Sequence, residues 1–234
     1  MQNPLEVLFG LSEQHLTQVE IGDDKSLAKL HCSVVNDFVA LQAEAQRAGF
    51  NLQIASGFRG FERQVMIWNR KFSGQTPCFD KQGKPHEFSS YSDTQKIFAI
   101  LEYSALPGLS RHHWGTDFDY YDPTLLGSAQ LQLIPNEYEE TGVFAPLNKW
   151  LTDNMGQFGF FRPYREDCGG VAREPWHLSH FETSQTLTSD LAAAPTSSLL
   201  NALKQHNTLG FDAIAENIDV IVERFGLNIC LPDK

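Results

Sequence analysis

Apolar positions along the chain change period from one stretch to the next, and those periods predict a mixed α+β protein. From Ser26 to Ala48, residues Leu27, Leu30, Val34, Phe38, Leu41, Ala45 and Ala48 recur at spacings of three and four. That is the period of one helix face, and Gly49 supplies a stop. The stretch Phe50-Asn51-Leu52-Gln53-Ile54-Ala55 alternates apolar with polar and reads as a half-buried strand ending at Ser56-Gly57. A second helix is expected from near Gly60 through Arg70. Ser73 to Ser92 has the Gly, Pro, Ser, Lys and Asp content of a long loop, and such loops often serve as lids or binding loops.

Ser92 with Gln95 fits a capping box that opens a short helix through Leu101, with Pro107-Gly108 as terminator. Thr116 to Tyr121 reads as a strand closed by Asp122-Pro123, and Ala145 to Asn154 as a helix. Gly156, Gly159, Gly169 and Gly170 divide the next region into turns, and Thr183 to Thr196 has the polar composition of a linker. Helical period returns at Leu199, Leu200 and Leu203 and again at Ile214, Ile218, Ile221, Val222 and Phe225, before Gly226. The expected organisation is one domain over residues 1–183, with a helical extension over residues 184–234 packed on it.

Composition narrows the function classes. At 234 residues, 41% hydrophobic and 20% charged, the chain is an ordinary globular sequence long enough for a sizeable core. A net charge of −11 disfavours nucleic acid and anionic membrane surfaces as partners. The start, Met1-Gln2-Asn3-Pro4-Leu5-Glu6, lacks the basic and apolar regions of a signal peptide, and no stretch approaches the roughly 20 apolar residues of a membrane span. A cytoplasmic location without membrane insertion is the expectation, with the periplasm as the alternative for a chain whose leader has been removed. Cys32, Cys78, Cys168 and Cys230 are dispersed without a CxxC pair and read as free thiols, although an even count permits two disulfides. Nothing in the sequence indicates an oligomeric state.

Chemistry concentrates in two segments, His112-His113-Trp114-Gly115-Thr116-Asp117-Phe118-Asp119 and Glu174-Pro175-Trp176-His177. Imidazole and carboxylate are zinc ligands, and a catalytic zinc takes three protein ligands with a fourth position open. His112, Asp119 and His177 supply such a set, while His113, His180 and Asp117 stand as alternative ligands. Seven residues separate His112 from Asp119, so a regular strand would place them on opposite faces and Gly115 is expected to turn the chain between them. Pro175 biases Glu174 away from helix, leaving an extended carboxylate suited to be a general base. Arg59 can grip a carboxylate with two parallel charge-assisted hydrogen bonds; oxyanion stabilisation or a surface ion pair are its other readings. Cys168, near His177 and His180, lacks the marks of a nucleophile.

Three motifs in order resemble one family. Ser110 through Asp119 is similar to the SxHxxGxxxD motif of VanY-like D-alanyl-D-alanine carboxypeptidases, Glu174-Pro175-Trp176-His177 to their ExWH motif, and Ser56-Gly57-Phe58-Arg59-Gly60-Phe61-Glu62-Arg63-Gln64 to their SGYRxxxxQ segment. The resemblance implies a small antiparallel sheet flanked by helices and carrying one zinc, as in lysostaphin- and hedgehog-type domains. It implies His112, Asp119 and His177 as ligands, Glu174 as catalytic base, and Arg59, Gln64 and Ser110 around the substrate carboxylate. Asp117, where a small residue is usual, and Phe58, where Tyr is usual, depart from the pattern. The implied substrate is a peptidoglycan stem peptide losing C-terminal D-alanine. A cytoplasmic location favours the L,D bond of a tetrapeptide muropeptide in cell-wall recycling; the alternatives are a D,D cut on pentapeptides in the periplasm and a non-catalytic zinc-binding module.

Overall fold

The chain runs through α1 (Pro4–Leu8), β1 (Leu16–Ile21), β2 (Ser26–His31), α2 (Val35–Arg47), β3 (Gln53–Ser56), α3 (Phe61–Phe72) and α4 (Asp93–Leu101). It continues through β4 (Asp117–Tyr121), α5 (Pro123–Leu126), α6 (Pro135–Tyr138), α7 (Ala145–Asn154), β5 (Phe160–Phe161), β6 (His177–His180), α8 (Phe181–Ala193), α9 (Thr196–Gln205) and α10 (Phe211–Ile221). These elements come from a computed structural model that describes residues 4–21 and 26–232; Met1 to Asn3 of the N-terminal reading lie outside them. Strands β1 and β2 form an antiparallel hairpin, and a second antiparallel sheet has the order β3-β4-β6-β5.

The second sheet divides its side chains by the period-two rule. Phe118, Tyr120 and Leu178 enter a core built with Phe38 and Leu41 of α2 and with Leu147 and Leu151 of α7. Phe118 is fully buried, and truncating it to Ala would cost about 3–5 kcal/mol. Residues Asp117, Asp119, His177 and Ser179 take the opposite face. A second core fills the far side, where Trp68, Ile97, Ile100 and Trp114 pack with Leu191, Leu203, Ile214 and Phe225 from the C-terminal helices. The four-stranded sheet flanked by helices is the α+β architecture expected.

Two expectations fail. The helix read from Ser26 is a strand to His31 followed by a turn, with helix only from Val35. Leu27 is 58% exposed while Ala28 and Leu30 are buried, so the working period there is two. The deciding influence is non-local, because β1 offers β2 a full ladder from Leu16↔His31 to Ile21↔Ser26. The segment read as a linker from Thr183 is most of α8. Two of its hydroxyls are used inward: Ser184 Oγ accepts from Ser179 Oγ at 3.0 Å and Thr188 Oγ1 accepts from Arg111 Nη1 at 3.1 Å. A smaller difference is that β3 begins at Gln53, whereas α4 ends at Leu101 as expected, several residues before Pro107. The capping box of Ser92 with Gln95 is present. Among the described residues no helix is long and apolar enough to cross a membrane.

Candidate metal centre

Sheet register places two of the three candidate ligands side by side. Asp119 and His177 are direct cross-strand partners in β4 and β6, so their side chains leave the same face. His112 reaches them from a 3-10 turn, Arg111–Trp114, that ends at Gly115 with φ +68. A Cβ on Gly115 would stand 2.7 Å from the backbone nitrogen of His31 and 2.5 Å from Leu16 Cδ2, so the turn needs glycine for conformation and for space. Donor atoms of His112, Asp119 and His177 all lie within 4.8 Å of one another, and all three residues are buried. His112 Nε2 is 3.5 Å from Asp119 Oδ2, and His177 Nδ1 is 3.2 Å from Asp119 Oδ1.

The other ring nitrogens are already engaged, which is the test that this set fits a metal. His112 Nδ1 donates to Gly57 O at 3.0 Å, leaving Nε2 for an ion. His177 Nε2 donates to Asp117 Oδ1 at 3.0 Å, leaving Nδ1. A carboxylate behind a ligating imidazole fixes its tautomer and raises its basicity. Asp117 is itself held by Arg111 Nε at 2.7 Å and Thr116 Oγ1 at 2.6 Å, and Arg111 also donates to Ser179 Oγ and stacks on Trp114. Of the alternative ligands, Asp117 therefore stands behind the cluster. His113 accepts from Gly108 N at 3.0 Å, and His180 turns to Asp37 at 3.1 Å.

Charge in the cluster matches a cation. Burial opposes ionisation of Asp119, yet His112 and His177 outweigh it and hold the carboxyl far below its usual range. Burial also opposes the His177 cation, but hydrogen bonds to Asp117 and Asp119 raise it to about 9, so a proton occupies the place a metal would take. For His112 burial wins and lowers the pKa. Glu174 sits in a turn closed by His177 N donating to Glu174 O at 3.2 Å, with Oε2 3.7 Å from His177 Nδ1. Burial, helped by the negative charge of Asp119, raises its carboxyl to about 7.

A cavity of about 870 Å³ opens over the cluster and is lined by Arg59, Lys71, Ser110, Tyr164, Glu174 and Trp176 among others. Arg59 donates to Gln64 Oε1 at 3.0 Å and Ser56 Oγ at 3.1 Å. Gln64 is fully buried behind Arg59 and donates onward to Ala105 O at 2.7 Å, so it holds the arginine rather than lining the cavity. Trp176 walls the site, whereas Trp114 lies beneath Arg111. Tyr164 crosses the His177 ring edge-on at 5.0 Å, and burial keeps its phenol protonated. Sequence reasoning missed Lys71 in the cavity wall. The available signal was its position seven residues after Gln64 on the buried face of α3.

Residues 27–183 match the protein family described as VanY, D-alanyl-D-alanine carboxypeptidase. An uncharacterized protein of Haemophilus influenzae is 36% identical over 119 residues, covering 50% of this chain and 88% of its own. Among solved structures, the LdcB LD-carboxypeptidase shares the fold with a TM-score of 0.55 and 20% identity, over 81% of this chain and 85% of its own. VanYB in complex with D-alanine-D-alanine gives 0.51 and 21%, over 80% and 87%. A family match over well more than half the chain, containing His112, Asp119, Glu174 and His177, means that this protein belongs to the VanY family of D-alanyl-D-alanine carboxypeptidases.

Proposed function

We propose that the protein is a zinc-dependent carboxypeptidase that releases C-terminal D-alanine from peptidoglycan stem peptides, cutting the L,D bond of tetrapeptides to leave tripeptides. The observation that carries the reading is a buried carboxyl, Glu174, raised to about 7 and standing 3.7 Å from His177 Nδ1, in the same cavity as Arg59. Zinc on His112 Nε2, Asp119 and His177 Nδ1 would supply a Lewis acid for the scissile carbonyl. Glu174 takes the proton of the attacking water as the oxygen adds to the carbonyl carbon. When the C–N bond breaks, Glu174 returns that proton to the leaving amine. Arg59, fixed by Gln64 and Ser56, holds the terminal carboxylate with paired charge-assisted hydrogen bonds, and Ser110 lines the same wall.

The L,D assignment rests on a second cation in the cavity, Lys71, and the proposal extends to muropeptide recycling in the cytoplasm. Zinc-loaded protein given muropeptides bearing tripeptide, tetrapeptide or pentapeptide stems should release D-alanine, read by mass spectrometry, from the tetrapeptide. Release from the pentapeptide alone would make it a D,D-carboxypeptidase, and release from neither would refute the peptidase reading. Cells lacking the gene are expected to accumulate tetrapeptide muropeptides in their cytoplasm.

A further inference from the structure

Two cations share the cavity without being ion-paired to a carboxylate of the protein's own. Arg59 donates to the neutral oxygens of Gln64 and Ser56, and Lys71 Nζ donates to the Ser104 hydroxyl. Among the described residues neither forms an ion pair. The carboxylates of the cavity wall are otherwise engaged: Asp119 faces the two histidines, Asp80 accepts from the amides of Gln82 and Lys84 in its own turn, and Glu174 sits against His177. Lys81, the other lysine of the wall, is paired with Asp167. Burial pushes the Lys71 pKa down, with Cys78 and Glu174 opposing. A largely buried ammonium that no carboxylate contacts directly is costly, so a site that retains one is suited to an anion arriving from outside.

Each cation is fixed by separate neutral oxygens, and each is reached from the same cavity. We infer that Lys71 binds a second carboxylate of the substrate, on the side chain of the residue preceding the released D-alanine, while Arg59 holds the terminal carboxylate. This rests on the carboxypeptidase reading and specifies its substrate class. The stem peptide should carry a diamino-dicarboxylic acid as its third residue rather than a residue whose side chain ends in an amine alone. At an L,D bond that residue stands next to the cut and offers its carboxylate to Lys71. At a D,D bond the preceding residue is D-alanine, whose methyl group has nothing for an ammonium.

The test is kcat/KM of the zinc-loaded full chain on three tetrapeptides that differ only at the third residue: meso-diaminopimelic acid, its side-chain amide, and L-lysine. The unaltered protein should favour the free acid over the amide by about 10- to 100-fold, the range of one charge-assisted hydrogen bond. Lys71→Met should bring the acid down to the level of the amide, and Lys71→Glu should favour L-lysine. Equal rates on acid and amide by the unaltered protein, a comparison that needs no variant to fold, would overturn the inference and leave the carboxypeptidase reading standing. An equal loss on all three substrates in Lys71→Met would overturn it too, making Lys71 a structural residue or a second anchor for the terminal carboxylate. No release of D-alanine from any substrate by the unaltered protein would instead refute the carboxypeptidase reading, and this inference with it.

Discussion

Replacing Glu174 with Gln should separate catalysis from stability in opposite directions. Burial raises the Glu174 carboxyl from an ordinary 4.5 to about 7 in the metal-free protein. Below pH 4.5 the carboxyl is protonated in both folded and unfolded chains and costs nothing. Between 4.5 and 7 only the unfolded chain ionises, so the folded state loses stability as pH rises, and above 7 the full loss has accumulated. At about 1.4 kcal/mol for each tenfold change in proton equilibrium, the loss is about 3 kcal/mol. Glu174→Gln keeps the shape without the charge, so it should be more stable than the parent at pH 8 by up to about 3 kcal/mol and indistinguishable near pH 4. Urea unfolding of chelator-treated proteins at the two pH values measures the difference directly. Zinc adds positive charge beside the carboxylate and should narrow the gap. Release of D-alanine should fall by about 10²- to 10⁴-fold, the usual contribution of a positioned base. Equal unfolding curves for the two proteins at both pH values, or an active Gln variant, would refute the reasoning.

Other outcomes follow from the same cluster. Because His177 stays protonated up to about 9 without metal, zinc binding at pH 7 should release a proton, and apparent affinity should rise about tenfold per pH unit until pH 9; titration in weak buffer reads both. Asp117→Ala should weaken zinc about 10- to 100-fold in competition with a chromophoric chelator, because the backing of His177 Nε2 is lost. Gly115→Ala should destabilise by about 1–3 kcal/mol or more in urea unfolding, since a Cβ meets the backbone of His31 and φ is +68.

How far the fold could be read from sequence depended on where the deciding contact lay. Helices α3, α4 and α7 carry their own signals, a capping box, a stop or an apolar stripe, and they stand near where those signals put them. Strand β2 has a spacing compatible with a helix, and only its pairing with β1, at Leu16↔His31 and Thr17↔Leu30, selects the strand. No local period could report that choice. Helix α8 was hidden for a different reason: two of its hydroxyl residues, Ser184 and Thr188, serve an inward polar network, so part of the composition that signals a linker here faces the interior.

That network explains why the candidate ligands were legible and their support was not. His112, Asp119 and His177 announce themselves because few other arrangements need imidazole and carboxylate at those positions. Asp117 could be seen only as a departure from a small residue, and its purpose appears once β4 and β6 are paired: it lies opposite Ser179 and behind His177 Nε2. Its charge then requires Arg111, and Arg111 requires Thr188 on α8. The chain of contacts Thr188–Arg111–Asp117–His177 therefore ties the C-terminal helices to the metal cluster. A truncation after residue 183 would remove Thr188 and the Leu191, Leu203, Ile214 and Phe225 side of the second core. The helical extension is thus part of what holds the ligands in place, although the family match ends where it begins.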